Sequence, residues 1–377
     1  MAQGHIPVAA AEGALATAHR ASTGHEICSS LPPVYLLVRP LLFLLQPEIA
    51  HGLAGALLRA TRAPRSVPDA DPLLRQTLWG IDFPTPLGLA AGMDKGEVLA
   101  PAWFRLGFGW VEIGTVTPQP QRGNERPRLF RLVSQRAIIN RMGFNNAGAG
   151  AVAGRLRRLP PLPGPICVNV GRNKETPNER AAEDYVTAFR TLAPHAQMAS
   201  INVSSPNTPG LRALQSDLGS LVGEVVKARD SLPRRVPVLV KLSPDEPDER
   251  VAEMAKAAQA AGADGIIATN TTVGRGAVLD HPLAAEQGGL SGAPLRERAL
   301  HVCRLLYRAV SIPVVGVGGI FNAEDAYARI RAGASLVQIY TALVYEGPAV
   351  PRRISRGLAA LLRRDGLSLA QAVGKDA

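Results

Sequence analysis

From about residue 80 onward, short apolar runs alternate with longer stretches of helical spacing. The runs fall at 86–91, 110–115, 165–171, 199–204, 236–243, 264–270, 313–318 and 335–340. Most are continuously apolar rather than alternating, the pattern of strands buried on both faces. Helical periodicity fills most of the gaps, as at 249–261 and 323–332. Eight βα units in one chain predict an α/β fold of the closed parallel kind, a TIM (β/α)8 barrel. A doubly wound open sheet is the rival, but no run is followed by G-x-G-x-x-G where that fold needs it.

The segment 31–64 stands apart. Ser30 with Pro32 and Pro33 marks a helix start, and 35–45 is apolar nearly all round. Gln46-Pro47 restarts the chain, and Ile49, Leu53, Ala56, Leu57 and Ala60 follow at helical spacing. Two short helices joined by a break are expected, ending in Arg59, Arg62 and Arg65. The pair is either a plain helical cap on the barrel or a hydrophobic lip lying in a membrane surface. The expected division is a disordered tail at 1–30, a helical extension at 31–72, the barrel at 73–365 and a C-terminal tail at 366–377. Residues 1–30 lack the basic start and apolar core of a secretion signal. No stretch reaches the roughly 20 apolar residues that span a bilayer.

Composition adds little to this outline. A length of 377 suits a barrel of about 250 to 300 residues with an appendage. The net charge of +11 favours phosphate, nucleic acid or an anionic membrane face, although an arginine-rich coding bias gives the same surplus. Cys28, Cys167 and Cys303 lie far apart, which argues against a zinc site or disulfide framework and suits a reducing cytosol.

Segments before the runs are short, as at 261–263, whereas those after them are long and polar at 116–140, 206–219 and 271–292. Function in barrels sits at this C-terminal rim. Lys95 follows the first run, and Glu112 and Thr115 close the second. Asn169 lies in the third, Asn202 with Ser204 and Ser205 at the end of the fourth, and Lys241 in the fifth. Thr269, Asn270 and Thr271 end the sixth, Gly318 and Gly319 the seventh, and Tyr340 and Thr341 the eighth. An unpaired buried polar group costs about 1–3 kcal/mol, so this many on one rim point to a shared ligand. The amides of Asn140, Asn169, Asn202, Asn207 and Asn270 offer donors and acceptors to the edges of a planar ring. Lys95 and Lys241 suit a carboxylate or a reduced ring, and Gly292, Gly318 and Gly319 suit a phosphate. Metal hydrolysis and glycosidase chemistry are disfavoured, since no histidine follows a strand and no metal-spaced carboxylate pair occurs. A non-enzymatic phosphate-binding or peripheral membrane protein leaves this dense polar rim unexplained.

At these residues the chain resembles dihydroorotate dehydrogenase, in its membrane-associated, quinone-using class. The resemblance covers about residues 35 to 360. It is carried by LGLAAGMDK (87–95), VEIGTVTPQP (111–120), INRMGFNN (139–146), NVSSPNTPGL (202–211), ATNTT (268–272), GGLSG (288–292), VGVGGI (315–320) and LVQIYTALVYEGP (336–348). It implies a TIM barrel holding FMN against Ala91, Gly92, Met93, Asp94, Lys95, Thr115, Asn169, Asn202, Lys241, Thr269, Gly292, Gly319, Tyr340 and Thr341. The substrate would lie against Lys95, Asn140, Arg141, Met142, Gly143, Phe144, Asn202, Asn207, Asn270 and Thr271. Ser205 would be the base that takes the C5 proton, with hydride leaving C6 for the flavin. On residues alone, Ser204 is as eligible as Ser205.

Two features set the class. Soluble relatives, which pass electrons to fumarate or nicotinamide, carry cysteine where Ser205 stands. The segment QPEIAHGLAGALL (46–58) resembles the extension that forms a quinone tunnel, with His51 and Arg131 matching residues that line it. The expected partners are dihydroorotate, orotate and a membrane quinone, with no nucleic acid, for a monomer held peripherally at the cytoplasmic face of the cell membrane. A flavin barrel that reduces uridines in RNA is a further alternative, but it needs a loop cysteine and an RNA-binding domain. One departure is that Gly96 follows Lys95 directly, where the family pattern has a polar spacer.

Overall fold

In the computed structural model, which describes residues 34–377 apart from Pro209, every one of the eight apolar runs is a strand. They are β1 (Leu87–Asp94), β2 (Trp110–Val116), β3 (Ile166–Val170), β4 (Met198–Asn202), β5 (Val238–Leu242), β6 (Gly265–Ala268), β7 (Val314–Val317) and β8 (Ala334–Ile339). All pair in parallel in the order β6-β7-β8-β1-β2-β3-β4-β5, and β5 closes on β6. This is the TIM barrel that the pattern predicts. Helices cover the outside through apolar stripes. In Val350–Arg364, for example, Ile354, Leu358 and Leu362 recur every four residues and are buried.

Inward side chains come from alternate strand positions, so they stack in layers. The lower layer is apolar: Trp110, Cys167, Met198, Leu239, Ile267, Val315 and Leu336. A hairpin of Gln76–Leu78 and Ile81–Phe83 closes the base beneath it. Phe83 meets Trp110 edge to face with ring centres 6.2 Å apart. Trp110 fits because residue 88 is glycine, where a Cβ would stand 2.2 Å from the indole. Two residues further along, the inward positions of five strands turn polar: Glu112, Asn169, Ser200, Lys241 and Gln338, all buried. The C-terminal rim opens above them.

Three expectations need correction or limit. The segment 116–140 is no simple loop, because Leu129–Leu132 and Ala137–Asn140 form an antiparallel hairpin there. Its second strand also pairs with Gly289–Gly292, so the second and sixth loops make one wall. Four-residue strands are too short to leave a legible alternation. Residues 366–377 are no free tail either. Leu369 and Ala372 are buried, and the Asp376 carboxylate pairs with Arg331 at 2.6 Å. The tail expected at 1–30 lies outside the described residues.

The N-terminal pair consists of α1 (Val34–Leu44) and α2 (Pro47–Leu58), with Pro47 in the first turn of α2, where a missing N–H costs nothing. Tyr35 donates from its hydroxyl to the Val344 carbonyl at 2.6 Å, and Arg39 donates to the Tyr345 carbonyl at 2.9 Å. The opposite face is bare. Leu37, Leu41 and Leu44 on α1 and Ile49, Leu53 and Leu57 on α2 all face solvent, Leu44 with 83% of its surface. Among the described residues no helix is long and apolar enough to cross a membrane.

Candidate active site

The polar rim converges on one cavity of about 1030 Å³, counted to its open mouth. Ala91, Gly92, Lys95, Thr115, Asn140, Met142, Gly143, Phe144, Asn202, Ser205, Asn207, Lys241, Thr269, Asn270, Thr271, Gly292, Gly319, Tyr340 and Thr341 all line it. Four anticipated residues do not: Met93, Asp94, Arg141 and Asn169. Each has a physical reason to be elsewhere. The Asp94 carboxylate accepts from the backbone N–H groups of Gly96, Val98 and Leu99 and from the Trp103 indole, so it shapes the loop after β1. Met93 packs in the core. Arg141 pairs with Glu286 at 2.6 Å and lies over the Phe130 ring. Asn169 belongs to the polar layer at the cavity floor, but its amide is committed to Glu112, Ser200 and Thr115.

The order at Ser204 and Ser205 is set by the strand end. Ser204 donates to the Lys241 carbonyl at 2.7 Å and accepts from Asn270 Nδ2 at 3.1 Å, so its hydroxyl is committed to the protein. Ser205 faces the cavity, and its Oγ accepts from the Asn207 N–H at 3.2 Å. Lys95 donates to the Gly92 carbonyl at 2.6 Å. Burial pushes its ammonium down to about 8, against the pull of Glu48. Burial also pushes the Tyr340 phenol up to about 12.

Four buried oxygens on lining residues have no protein partner: Asn145 Oδ1, Asn207 Oδ1, Thr271 Oγ1 and Gln338 Oε1. Each costs about 1–3 kcal/mol if left unmet, so they fit a ligand that presents N–H groups. Gln338 and Asn145 escaped the sequence reading. The signal for Gln338 is an amide inside the otherwise apolar eighth run. At the far end, Arg329 draws the carbonyls of Val317 and Gly318 away from the cavity, at 3.2 and 2.9 Å. Gly319 there has φ +72°, and a Cβ would stand 2.4 Å from the Arg296 backbone. Glycine is thus required by the fold itself at this position.

A second cavity, of about 2380 Å³ to its open mouth, lies between α2 and the rim. Glu48, His51, Ala54, Leu58, Met93 and Leu99 contribute to its lining, and it shares Lys95, Met142 and Asn145 with the first. Burial, then the Lys95 ammonium, push the His51 imidazole down to about 3, so it is neutral. Arg131 is not part of this lining. Its guanidinium sits 4.4 Å from the Phe43 ring centre and donates to the carbonyls of Leu42 and Leu45.

Residues 73–362 match the dihydroorotate dehydrogenase family. A curated relative from Anaeromyxobacter dehalogenans, dihydroorotate dehydrogenase (quinone), is 52% identical over 351 residues, covering 90% of this chain and 96% of that protein. One of the same name from Deinococcus deserti is 50% identical over 359 residues, covering 90% and 99%. Among solved structures, DHODH from Eimeria tenella in complex with ferulenol superposes with a TM-score of 0.83 at 36% identity, covering 90% of this chain and 98% of that one. With its polar rim, its closed barrel and these relatives, the chain belongs to the dihydroorotate dehydrogenase family, in its quinone-dependent type.

Proposed function

We propose that this enzyme oxidises dihydroorotate to orotate on bound FMN and delivers the electrons to a membrane quinone. The observation that carries the reading is the cavity of Ser205, Lys95 and the asparagines, with its four unmet buried oxygens. Those oxygens suit the N–H edges of a dihydroorotate ring and of a flavin ring. Asn140, Asn202, Asn207 and Asn270 hold the substrate ring in place. Lys95 receives its carboxylate. Ser205 Oγ stands to take the C5 proton as its own hydroxyl proton passes to water at the open mouth of the cavity, and the Asn207 N–H on that oxygen stabilises the negative charge that develops there. Lys241 brings positive charge to the cavity floor. When bound, FMN supplies the acceptor for the hydride from C6. Thr115, Lys241, Thr269, Gly319 and Thr341 are the groups placed to hold it.

The acceptor follows from the helical pair. An exposed leucine-rich stripe on α1 and α2 suits burial in the headgroup boundary of a bilayer. The second cavity, with His51 on its wall, offers a quinone a path from that surface toward Lys95. We place the enzyme as a monomer bound peripherally at the cytoplasmic face. The test is an acceptor assay on the full chain and on a chain lacking residues 1–64. The full chain should reduce a long-chain quinone and not fumarate. The truncated chain should keep dye-linked dihydroorotate oxidation while losing quinone turnover and vesicle binding. Fumarate turnover, or quinone turnover that survives the truncation, would overturn the reading.

A further inference from the structure

Glu112 is a buried carboxylate that the mechanism above leaves unused. It lies on β2, fully buried, one inward layer above Trp110 and off the cavity lining. Donors from four other strands converge on it. Asn169 Nδ2 on β3 donates at 2.8 Å, Gln338 Nε2 on β8 at 2.7 Å, the Ala91 N–H on β1 at 3.2 Å, and the Ser200 hydroxyl on β4 completes the set. Burial pushes its pKa up, but Lys241 and these donors outweigh that and hold the carboxyl below the ordinary glutamate range. It is therefore ionised, and an ionised carboxylate only accepts.

That one-sidedness propagates. Since Glu112 can only accept, Asn169 turns its nitrogen down and its oxygen away. The Asn169 oxygen takes the Thr115 hydroxyl proton at 2.5 Å. Thr115 Oγ1 then has lone pairs left, and Asn202 Nδ2 donates to it at 2.9 Å. The Asn202 oxygen is left to accept from Asn270 Nδ2 at 3.1 Å. Gln338 obeys the same rule: its nitrogen goes to Glu112, so its unmet oxygen is an acceptor at the cavity. An asparagine or glutamine is nearly symmetric in shape, and nothing apolar tells its two ends apart.

We propose that Glu112 is a positioning residue that sets the hydrogen-bond direction of Asn169, Thr115, Asn202, Asn270 and Gln338, and so decides which edges of the bound rings the site accepts. The inference rests on the reading that orotate and FMN occupy this cavity. In Glu112→Gln the new amide nitrogen meets the Ala91 N–H and the amide nitrogens of Asn169 and Gln338, which only donate, so either the Ser200 hydroxyl reverses or a neighbouring amide turns over.

The test measures orotate binding to the FMN-loaded enzyme through the change in flavin absorbance. Glu112→Gln should weaken orotate by roughly ten-fold or more, the loss expected for a misdirected buried hydrogen bond. It should also move the flavin potential in the positive direction, because a nearby negative charge has gone. Thr115→Val cuts the relay above Asn169 and should weaken orotate to a similar degree, whereas Thr115→Ser keeps the hydroxyl and should restore binding. Combined with Thr115→Val, Glu112→Gln should add less than about two-fold, since both act through one chain. Unchanged orotate affinity in Glu112→Gln, or fully multiplying effects in the double variant, overturns the proposal. If Glu112→Gln fails to fold, the Thr115 pair decides: equal affinity of the Val and Ser variants overturns it. Failure of the unmodified holoenzyme to bind orotate strikes the functional reading instead.

Discussion

Arg128 places its guanidinium 2.6 Å from the Glu48 carboxylate, and this pair fastens α2 to the barrel. The arginine is itself held by the carbonyls of Arg122 and Asn124, at 2.7 and 2.9 Å. Both partners are largely withdrawn from water, and loss of Arg128 leaves Glu48 only the exposed Arg126 at 3.1 Å, a cost of about 1–3 kcal/mol. That is enough to loosen a helix pair that buries little else. Arg128→Met should lower quinone turnover about ten-fold, the factor expected from a cost of that size. Dye-linked dihydroorotate oxidation should stay within about two-fold, because α2 contributes nothing to the first cavity. Parallel assays with the two acceptors check this, and equal losses in both would contradict it.

The same pair predicts an acid limit. Burial raises the Glu48 carboxyl, but Arg128 and Arg126 outweigh it and hold the group below its ordinary value. A depressed acid stabilises the docked state fully above its free value and loses that contribution as pH falls through the docked value. Docking of α2 should hold at neutral pH and weaken below about pH 4. Limited proteolysis after Arg59 across pH 3 to 7 reads it out, and cleavage independent of pH would refute it.

Ser205 and Ser204 should separate cleanly on substitution. Ser205→Ala should slow flavin reduction by dihydroorotate by roughly 10²–10⁴-fold while FMN stays bound, the range for losing a positioned base. Ser204→Ala loses the bond to the Lys241 carbonyl and should show mainly a stability loss of about 1 kcal/mol. Rapid-mixing measurement of a single reduction distinguishes them, and near-normal reduction in Ser205→Ala would sink its role.

Lys95 predicts an alkaline limb. With its ammonium pushed down to about 8, it is charged below that pH and neutral above it. The substrate carboxylate stays ionised throughout, so only the lysine titrates this contact. The kcat/KM for dihydroorotate, which reports the free enzyme, should fall above about pH 8. Lys95→Met should be slow at every pH and lack this limb. A flat profile of the unmodified enzyme between pH 7 and 10 would rule the contact out.

Gly88 tests the base of the barrel independently of the chemistry. An added Cβ would meet the buried Trp110 indole at 2.2 Å, and Phe83 already packs edge to face on that indole. Gly88→Ala should cost about 1–3 kcal/mol by overpacking, seen as a lower melting temperature. Orotate affinity of the folded fraction should change by less than about two-fold, because a polar layer separates Trp110 from the cavity.

The sequence by itself determined the barrel, the helical pair and most of the rim. Strands buried on both faces must be continuously apolar, so eight such runs stay visible in one dimension, and a small, polar or cationic group at the end of each run marks the cavity side. Long motifs then narrowed the ligand to dihydroorotate. Only the tertiary structure decided which of two adjacent serines faces the cavity, since successive residues at a strand end point opposite ways. It also decided that Asp94 serves its own loop, that Arg141 turns to Glu286, and that 137–140 pairs with both 129–132 and 289–292. Glu112 is the sharpest case. In the sequence it is one more polar residue at a strand end, and its weight comes from Ala91, Asn169, Ser200 and Gln338, which closure of the barrel brings around it. The direction of a hydrogen bond is a property of the pair, and partners this far apart in the chain meet only after the fold has formed.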